Sequence, residues 1–336
     1  MAILIAVIVF SVIIIVHELG HFLAAKAAGI AIEEFSIGFG PKLLSLGRDT
    51  KFSIRLVPMG GFVRMLGEED GAGENNPASY PNKTPLQRMA VIAAGPVMNF
   101  LLATLIFILL YGAVGVVGEN VAIIGDVVPG SPAEQAGLLP GDEIVSIDSQ
   151  PTEKWTDIQN YVRANATKAL EFTFRRGDQT HTVEIVPRLG QEYPEVGIAP
   201  RVKRLSVGAS IIQGVRETGR MTAAVLNSLA GIITRKIPVG DLTGPIGIVY
   251  YVGQAARAGW LNVLSLAALI SVNLGLFNLL PIPALDGSKI VLLGVELIRR
   301  KPLDPQKESI IHLVGFALLI TLMLVVMYKD IIRFIL

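Results

Sequence analysis

The first 28 residues read MAILIAVIVFSVIIIVHELGHFLAAKAA, an apolar run that nevertheless carries His17, Glu18 and His21 within five positions. A run of this length and character is constrained to be a membrane-spanning helix, because a bilayer core of about 30 Å takes about 20 apolar residues in helical form. Ionisable groups there are costly, at roughly 2.5–3.5 kcal/mol for a charge at the helix centre. The pattern H-E-x-x-H supplies a reason for them. Two imidazoles at i and i+4 share one helix face and can hold one zinc ion, while the intervening Glu can take a proton from water. The competing reading is a helix end at the cytoplasmic surface that carries polar groups and no metal. The run also differs from a signal peptide, since no basic segment precedes it and no A-x-A cleavage site follows a short core. A retained transmembrane helix over residues 1–28 is expected.

Composition supports a membrane protein: 51% of residues are apolar and 17% charged. The net charge of +1 gives no case for nucleic-acid binding. Cysteine is absent, so no disulfide framework exists and any metal must be held by His, Asp or Glu.

Residues 29–85 form a polar, Gly- and Pro-rich loop region. Lys51 to Val57 alternates in the manner of a strand. Gly38, Gly40, Gly60 and Gly61 flank such strands; they suit either hairpin turns or close backbone approach to another chain. Glu68 to Lys83 is expected to be a mobile loop. Residues 86–117 give a second spanning helix, in which Asn99 reads first as an interhelical hydrogen-bonding residue. Residues 118–202 regain charge and alternate short β-type runs with turns around one helix near Thr156 to Ala164, which predicts an inserted α+β domain. Residues 203–262 are amphipathic, with a long helix over Val207 to Arg235 at the membrane interface and a connector over Pro238 to Gly247. Residues 263–298 form a broken third spanning helix, interrupted at Asn278-Leu-Leu-Pro-Ile-Pro-Ala-Leu-Asp286-Gly287. Pro281 and Pro283 each remove a backbone donor, and unwound backbone within a bilayer must face protein or a water-filled cavity. Asp286 there needs a partner; zinc on His17 and His21 would be one, and capping of the resumed helix is the alternative. Residues 308–334 make a fourth spanning helix, with His312 near its start reading as an interfacial side chain.

Basic residues concentrate in two connections. Lys26, Lys42, Arg48, Lys51, Arg55, Arg64, Lys83 and Arg88 lie between the first two helices. Arg299, Arg300, Lys301 and Lys307 lie between the last two. The positive-inside rule puts both in the cytoplasm, with the chain ends and the inserted domain outside.

Taken together, H-E-L-G-H at 17–21, G-F-G-P at 38–41, P-M-G-G-F-V at 58–63, A-G-P-V-M-N-F at 94–100 and N-L-L-P-I-P-A-L-D-G at 278–287 resemble the site-2 protease family of intramembrane zinc metalloproteases, in particular its bacterial RseP-type branch. The resemblance implies a polytopic α-helical membrane protein of four transmembrane helices, with a cytoplasmic-side re-entrant β-loop and an inserted PDZ domain. It implies Zn2+ bound by His17, His21 and Asp286, Glu18 as catalytic base, and Asn278 at the substrate or oxyanion. It implies substrate contacts along the β-loop, at Gly38, Phe39, Gly40, Phe52, Ile54, Leu56, Gly60 and Gly61, with the strand at 52–57 holding the substrate extended. Its implied substrates are transmembrane proteins such as anti-sigma factors or signal-peptide remnants. The PDZ domain would take peptide tails or act as a steric filter, and the location would be the bacterial inner membrane with the active site towards the cytoplasm, among membrane lipid.

The rival class is a non-enzymatic membrane scaffold with a PDZ domain and a structural zinc. Such a site would be closed by four protein ligands, and only three strong candidates stand out. A metal transporter would need polar residues along successive helices, which the second and fourth do not offer.

Overall fold

The computed structural model of the chain describes all residues except 69–75, 118–121, 166–167, 190–193, 237–242, 302–303 and 335–336. The first element, α1 (Ala2–Ala27), is apolar on every side but for His17, Glu18 and His21 and the basic Lys26 in its last turn, as suits a helix in lipid. Two long strands follow, β1 (Ile32–Leu46) and β2 (Lys51–Met65). Then comes α2 (Pro85–Val114), with Pro96 inside it. Four described helices are long and apolar enough to cross a membrane: α1, α2, Trp260–Leu279 and Ser309–Phe334.

The two strands do more than close a hairpin. Ser45 faces Ser53 and Leu46 faces Phe52 across the turn. The run Glu34–Ile37 has partners on both sides, Arg64 to Gly61 on one and Lys51 to Ile54 on the other. Four runs therefore lie side by side, and the outer ones are 42–46 and 61–65. Glycines let the two chains bend back on themselves. Gly38 and Gly40 take φ of +87° and +85°, and a side chain on Gly38 would also crowd the Arg55 carbonyl at 3.3 Å. The side chains of Leu43, Leu44, Leu46, Phe52, Ile54 and Leu56 remain exposed and apolar.

Inside this sheet Glu34 is 2% exposed. It takes Arg55 at 2.9 Å and Lys42 at 3.1 Å, while Arg55 also donates to the Gly40 carbonyl at 2.8 Å. Burial pushes the Glu34 carboxyl up, but hydrogen bonds from Ser53, Lys42 and Arg55 and the charge of Arg55 outweigh it and hold it down at about 2.

The stretch after Glu68 is not a free loop throughout. Residues 69–75 lie outside the described residues. Beyond them Ala31 donates to Ala78, Tyr80 donates to Leu66, and both Ser79 and Tyr80 are buried. Tyr80 joins Phe22, Phe35, Val63 and Val91 in one core cluster, so hydrophobic burial fixes this half of the segment.

Residues Tyr111–Ser210 form a separate compact unit. It contains β3 (Val116–Val117), β4 (Ile124–Val127), α3 (Pro132–Gln135), β5 (Glu143–Ile147), β6 (Gln150–Pro151), α4 (Trp155–Ala164), β7 (Leu170–Arg176), β8 (Gln179–Ile185), β9 (Arg188–Leu189), β10 (Pro194–Glu195), β11 (Ile198–Pro200) and β12 (Val202–Lys203). A four-stranded sheet in the order β6-β5-β7-β8 packs Ile144, Ile147, Phe172 and Phe174 against Trp155, Ile158 and Val162 of α4. The alternation of Leu170, Phe172 and Phe174 inward with polar residues outward is the period-2 pattern of a half-buried strand.

The chain then continues through α5 (Val207–Ile233), α6 (Pro245–Ala258), α7 (Trp260–Leu279), α8 (Asp286–Arg299) and α9 (Pro305–Phe334). The expected connector at Pro238 to Gly247 lies partly outside the described residues, and its last residues open α6, which sequence periodicity did not isolate. Asp330 of α9 accepts the Gly244 and Gly247 amides, at 3.1 and 2.8 Å, and so caps α6 from another helix. The α6 helix packs Val252 against Ala6 and Ile13 of α1 and Ile270 of α7. The broken third helix starts three residues earlier than expected and resumes at Asp286 itself.

Candidate metal centre

Three side chains from two distant parts of the chain meet in one place. His17 and His21 are both 7% exposed on the inner face of α1. Their Nε2 atoms stand 3.1 Å apart. Oδ2 of Asp286 lies 3.1 Å from His17 Nε2 and 3.5 Å from His21 Nε2. Asp286 is the first residue of α8, and no side-chain hydrogen bond caps that helix, so its carboxylate is committed to the imidazoles.

Neighbouring groups set the ring orientations. Nδ1 of His21 meets the Val91 carbonyl at 2.9 Å, so Nδ1 carries the proton and Nε2 presents a lone pair. The proline at 96 has no amide hydrogen and interrupts the bonding of this part of α2. Nδ1 of His17 lies 3.2 Å from the side-chain amide of Asn99, which is fully buried. The Asn99 amide oxygen is left without a partner when its nitrogen faces the ring. Exchanging the two nearly isosteric ends of the amide gives His17 Nδ1–H donating to Asn99 Oδ1 and frees His17 Nε2. Three lone-pair donors then converge, and Oδ2 of Asp286 is buried with no hydrogen-bond donor. A cation fits that cradle, and two imidazoles with one carboxylate are a zinc donor set that leaves a position open. It is the one cluster of this kind among the described residues.

The backbone makes room for the rings. A Cβ on Gly95 of α2 would overlap the His21 imidazole and stand 2.9 Å from His17 Cε1. On the facing helix, a Cβ on Gly20 would press into the Ala94 carbonyl and reach Met98 Cγ at 2.8 Å. Asn99, expected as an interhelical hydrogen-bonding residue, makes that bond to His17 of α1. Gly95 is a site residue that sequence reasoning passed over; its only sequence signal is the small-residue run Ala93-Ala94-Gly95, which suits close helix approach.

Glu18 follows His17 on α1, and an added Cβ at Gly61 would lie 3.2 Å from its Cγ. Gly61 belongs to the outer run of the sheet, which pairs on one side only. Among the loop glycines expected to meet substrate, Gly61 is set beside Glu18. Gly60, at φ +110°, lies under the Phe39 ring, which stacks on Phe62 at 6.3 Å. Phe52 and Ile54 have strand neighbours on both sides, which corrects the expectation that the strand at 52–57 offers an open edge along its length. Leu56 is exposed further along the same strand. Asn278 stands half-buried in the last turn of α7, at the start of the break that Asp286 ends.

A buried His-His-Asp cradle with an adjacent Glu, set among apolar helices, defines a membrane metallopeptidase. The model of Peptidase family M50 matches residues 5–322, and the chain belongs to that family, the site-2 proteases. The zinc metalloprotease RasP of Geobacillus kaustophilus is 33% identical, over 98% of this chain and 97% of its own. The regulator of sigma-W protease RasP of Bacillus subtilis is 32% identical, over 97% of each. The PDZ domain of an SdrC-like protein from Listeria monocytogenes is similar over 26% of this chain and 93% of its own, at 21% identity and a TM-score of 0.22. The protein is a zinc metalloprotease of the membrane.

Proposed function

We propose that this chain is an intramembrane endopeptidase that cuts the spanning segments of other membrane proteins. The observation that carries the reading is the meeting of His17, His21 and Asp286 beside Glu18 and the outer sheet run at Gly61. Zinc, when bound there, supplies Lewis acidity and a position open to water. Glu18 is placed to take a proton from the attacking water and to pass it to the leaving amine. Asn278 would donate to the developing oxyanion. A substrate helix must first unwind, because its carbonyls are otherwise hydrogen-bonded; an extended segment would then pair along Gly61–Met65, the unpaired side nearest Glu18. The exposed apolar side chains of the sheet suit a loop that enters the membrane from the cytoplasmic face.

The unit at 111–210 is read as a PDZ domain outside the cytoplasm, and anti-sigma-factor-like proteins or signal-peptide remnants as the substrates. Deleting residues 120–200 separates its two roles. Cleavage of an intact substrate without prior trimming supports a steric filter, and lost cleavage supports recruitment of tails.

The central test uses purified full-length protein and a transmembrane model substrate. Glu18→Gln should retain zinc and lose cleavage, by roughly 10²-fold or more. Asp286→Ala should lose both. Cleavage by Glu18→Gln at the unaltered rate rules the mechanism out. Zinc retention with no cleavage by the wild type would instead favour a non-enzymatic scaffold whose metal is structural.

A further inference from the structure

The break before Asp286 contains a strained residue that is held from outside. Ala284 takes φ +75°, a left-handed conformation that an L side chain disfavours, two positions before the metal ligand. Its amide hydrogen points away from the break and is donated to Nδ1 of His312 on α9, at 3.2 Å. One turn along the same face of α9 is Gly315, where a Cβ would press on Pro283, standing 2.7 Å from its carbonyl oxygen. The far side of the break is fixed from within: Leu285 donates to Ile282, and both the amide and hydroxyl of Ser288 donate to the Leu285 carbonyl, the hydroxyl at 2.7 Å. A Cβ at Gly287 would likewise press on the Leu279 carbonyl carbon at 2.5 Å, so α8 begins hard against the end of α7. The backbone from Pro283 to Ser288 is thus clamped between α7 and α9, and Asp286 is carried on it.

We propose that His312 is a positioning residue: by accepting the Ala284 amide it stabilises the left-handed turn that aims Asp286 at His17 and His21. The inference rests on the zinc-protease reading above. α9 contributes no ligand, yet it sets the third one. For Nδ1 to accept, the ring proton lies on Nε2, so the contact asks for an acceptor at that point rather than for a positive charge. That requirement separates positioning from packing. Asparagine places its Oδ1 close to where histidine places Nδ1, whereas leucine fills the space and accepts nothing. Glycine at 284 adopts the observed φ without strain and makes the clamp less necessary.

The experiment measures zinc retained by purified full-length protein against increasing concentrations of a competing chelator, with metal counted by elemental analysis and folding followed by gel filtration. His312→Leu should release zinc at roughly 10–100-fold lower chelator concentration, the range for loss of an outer-shell support. His312→Asn should hold zinc nearly as the wild type does. Ala284→Gly combined with His312→Leu should recover most of the loss. Retention by His312→Leu equal to wild type overturns the proposal, as does an equal loss for His312→Asn and His312→Leu. The parent reading fails separately. Wild-type protein that holds no zinc, or Asp286→Ala that holds as much as wild type, removes the metal centre and this inference with it.

Discussion

His17 and His21 are turned towards each other by α2, one by an amide side chain and one by a main-chain carbonyl. Two predictions follow at this scale. Asn99→Leu keeps the helix packing but leaves His17 Nδ1 without its partner, so zinc affinity should fall roughly 10–100-fold in a chelator titration. Gly95→Ala places a methyl against both imidazoles, so the purified protein should carry far less zinc than wild type while α2 itself, gaining an alanine for a glycine, loses no helix propensity. The meeting of His17, His21 and Asp286 was legible in the sequence, because i, i+4 spacing and the cost of charge in an apolar run are local facts. Asn99 was legible as an interhelical hydrogen-bonding residue, but its partner was not, and neither were the contacts of Gly95 and His312, because what they touch depends on how the helices cross.

The paired strands show what element-level patterns miss. Alternation picked out Lys51–Val57, yet β2 continues to Met65 and β1 runs for 15 residues through Gly38, Gly40 and Pro41. Glycine and proline read as strand ends; here positive φ bends the strand without ending it. The buried Glu34 ties all four runs together, through Lys42, Arg55 and Arg64. Its pKa is lower in the folded sheet, at about 2, than its usual 4.5, so its contribution is complete above about 4.5 and is lost as pH falls towards about 2. Glu34→Gln should therefore destabilise the protein at neutral pH by roughly 2 kcal/mol, the value of hydrogen bonds to a charged group. The gap between variant and wild type should close on acidification through that window, as thermal unfolding at stepped pH would reveal. The break in the third helix was legible for the opposite reason: two prolines at alternate positions leave a helix no way to continue.

At the scale of the molecule, two units have separate interiors. The core of the 111–210 unit is built from its own residues, Phe172, Ile124, Ile144 and Trp155 among them. Expressed alone, residues 111–210 should unfold as one cooperative transition by circular dichroism, and zinc should not shift its midpoint. Stripping metal from the full chain should lower the stability of the helical unit alone, by the linkage between binding and folding, and added zinc should restore it. The return of charge near residue 118 marked this unit in the sequence. Short β-type runs were expected there, and β7 shows why they were legible: Leu170, Phe172 and Phe174 alternate with polar residues. The α6 helix, hidden in an amphipathic stretch, emerges only because Asp330 caps it from the far end of the chain.

The metal cradle joins the seventeenth residue to the two hundred and eighty-sixth. A ribosome adding about 5–20 residues per second delivers His17, Glu18 and His21 roughly 15–50 s before Asp286. During that interval α1 is already in the membrane with its histidines unclosed. On the zinc-protease reading, the site is therefore complete only near the end of synthesis, when Asp286 joins the two histidines.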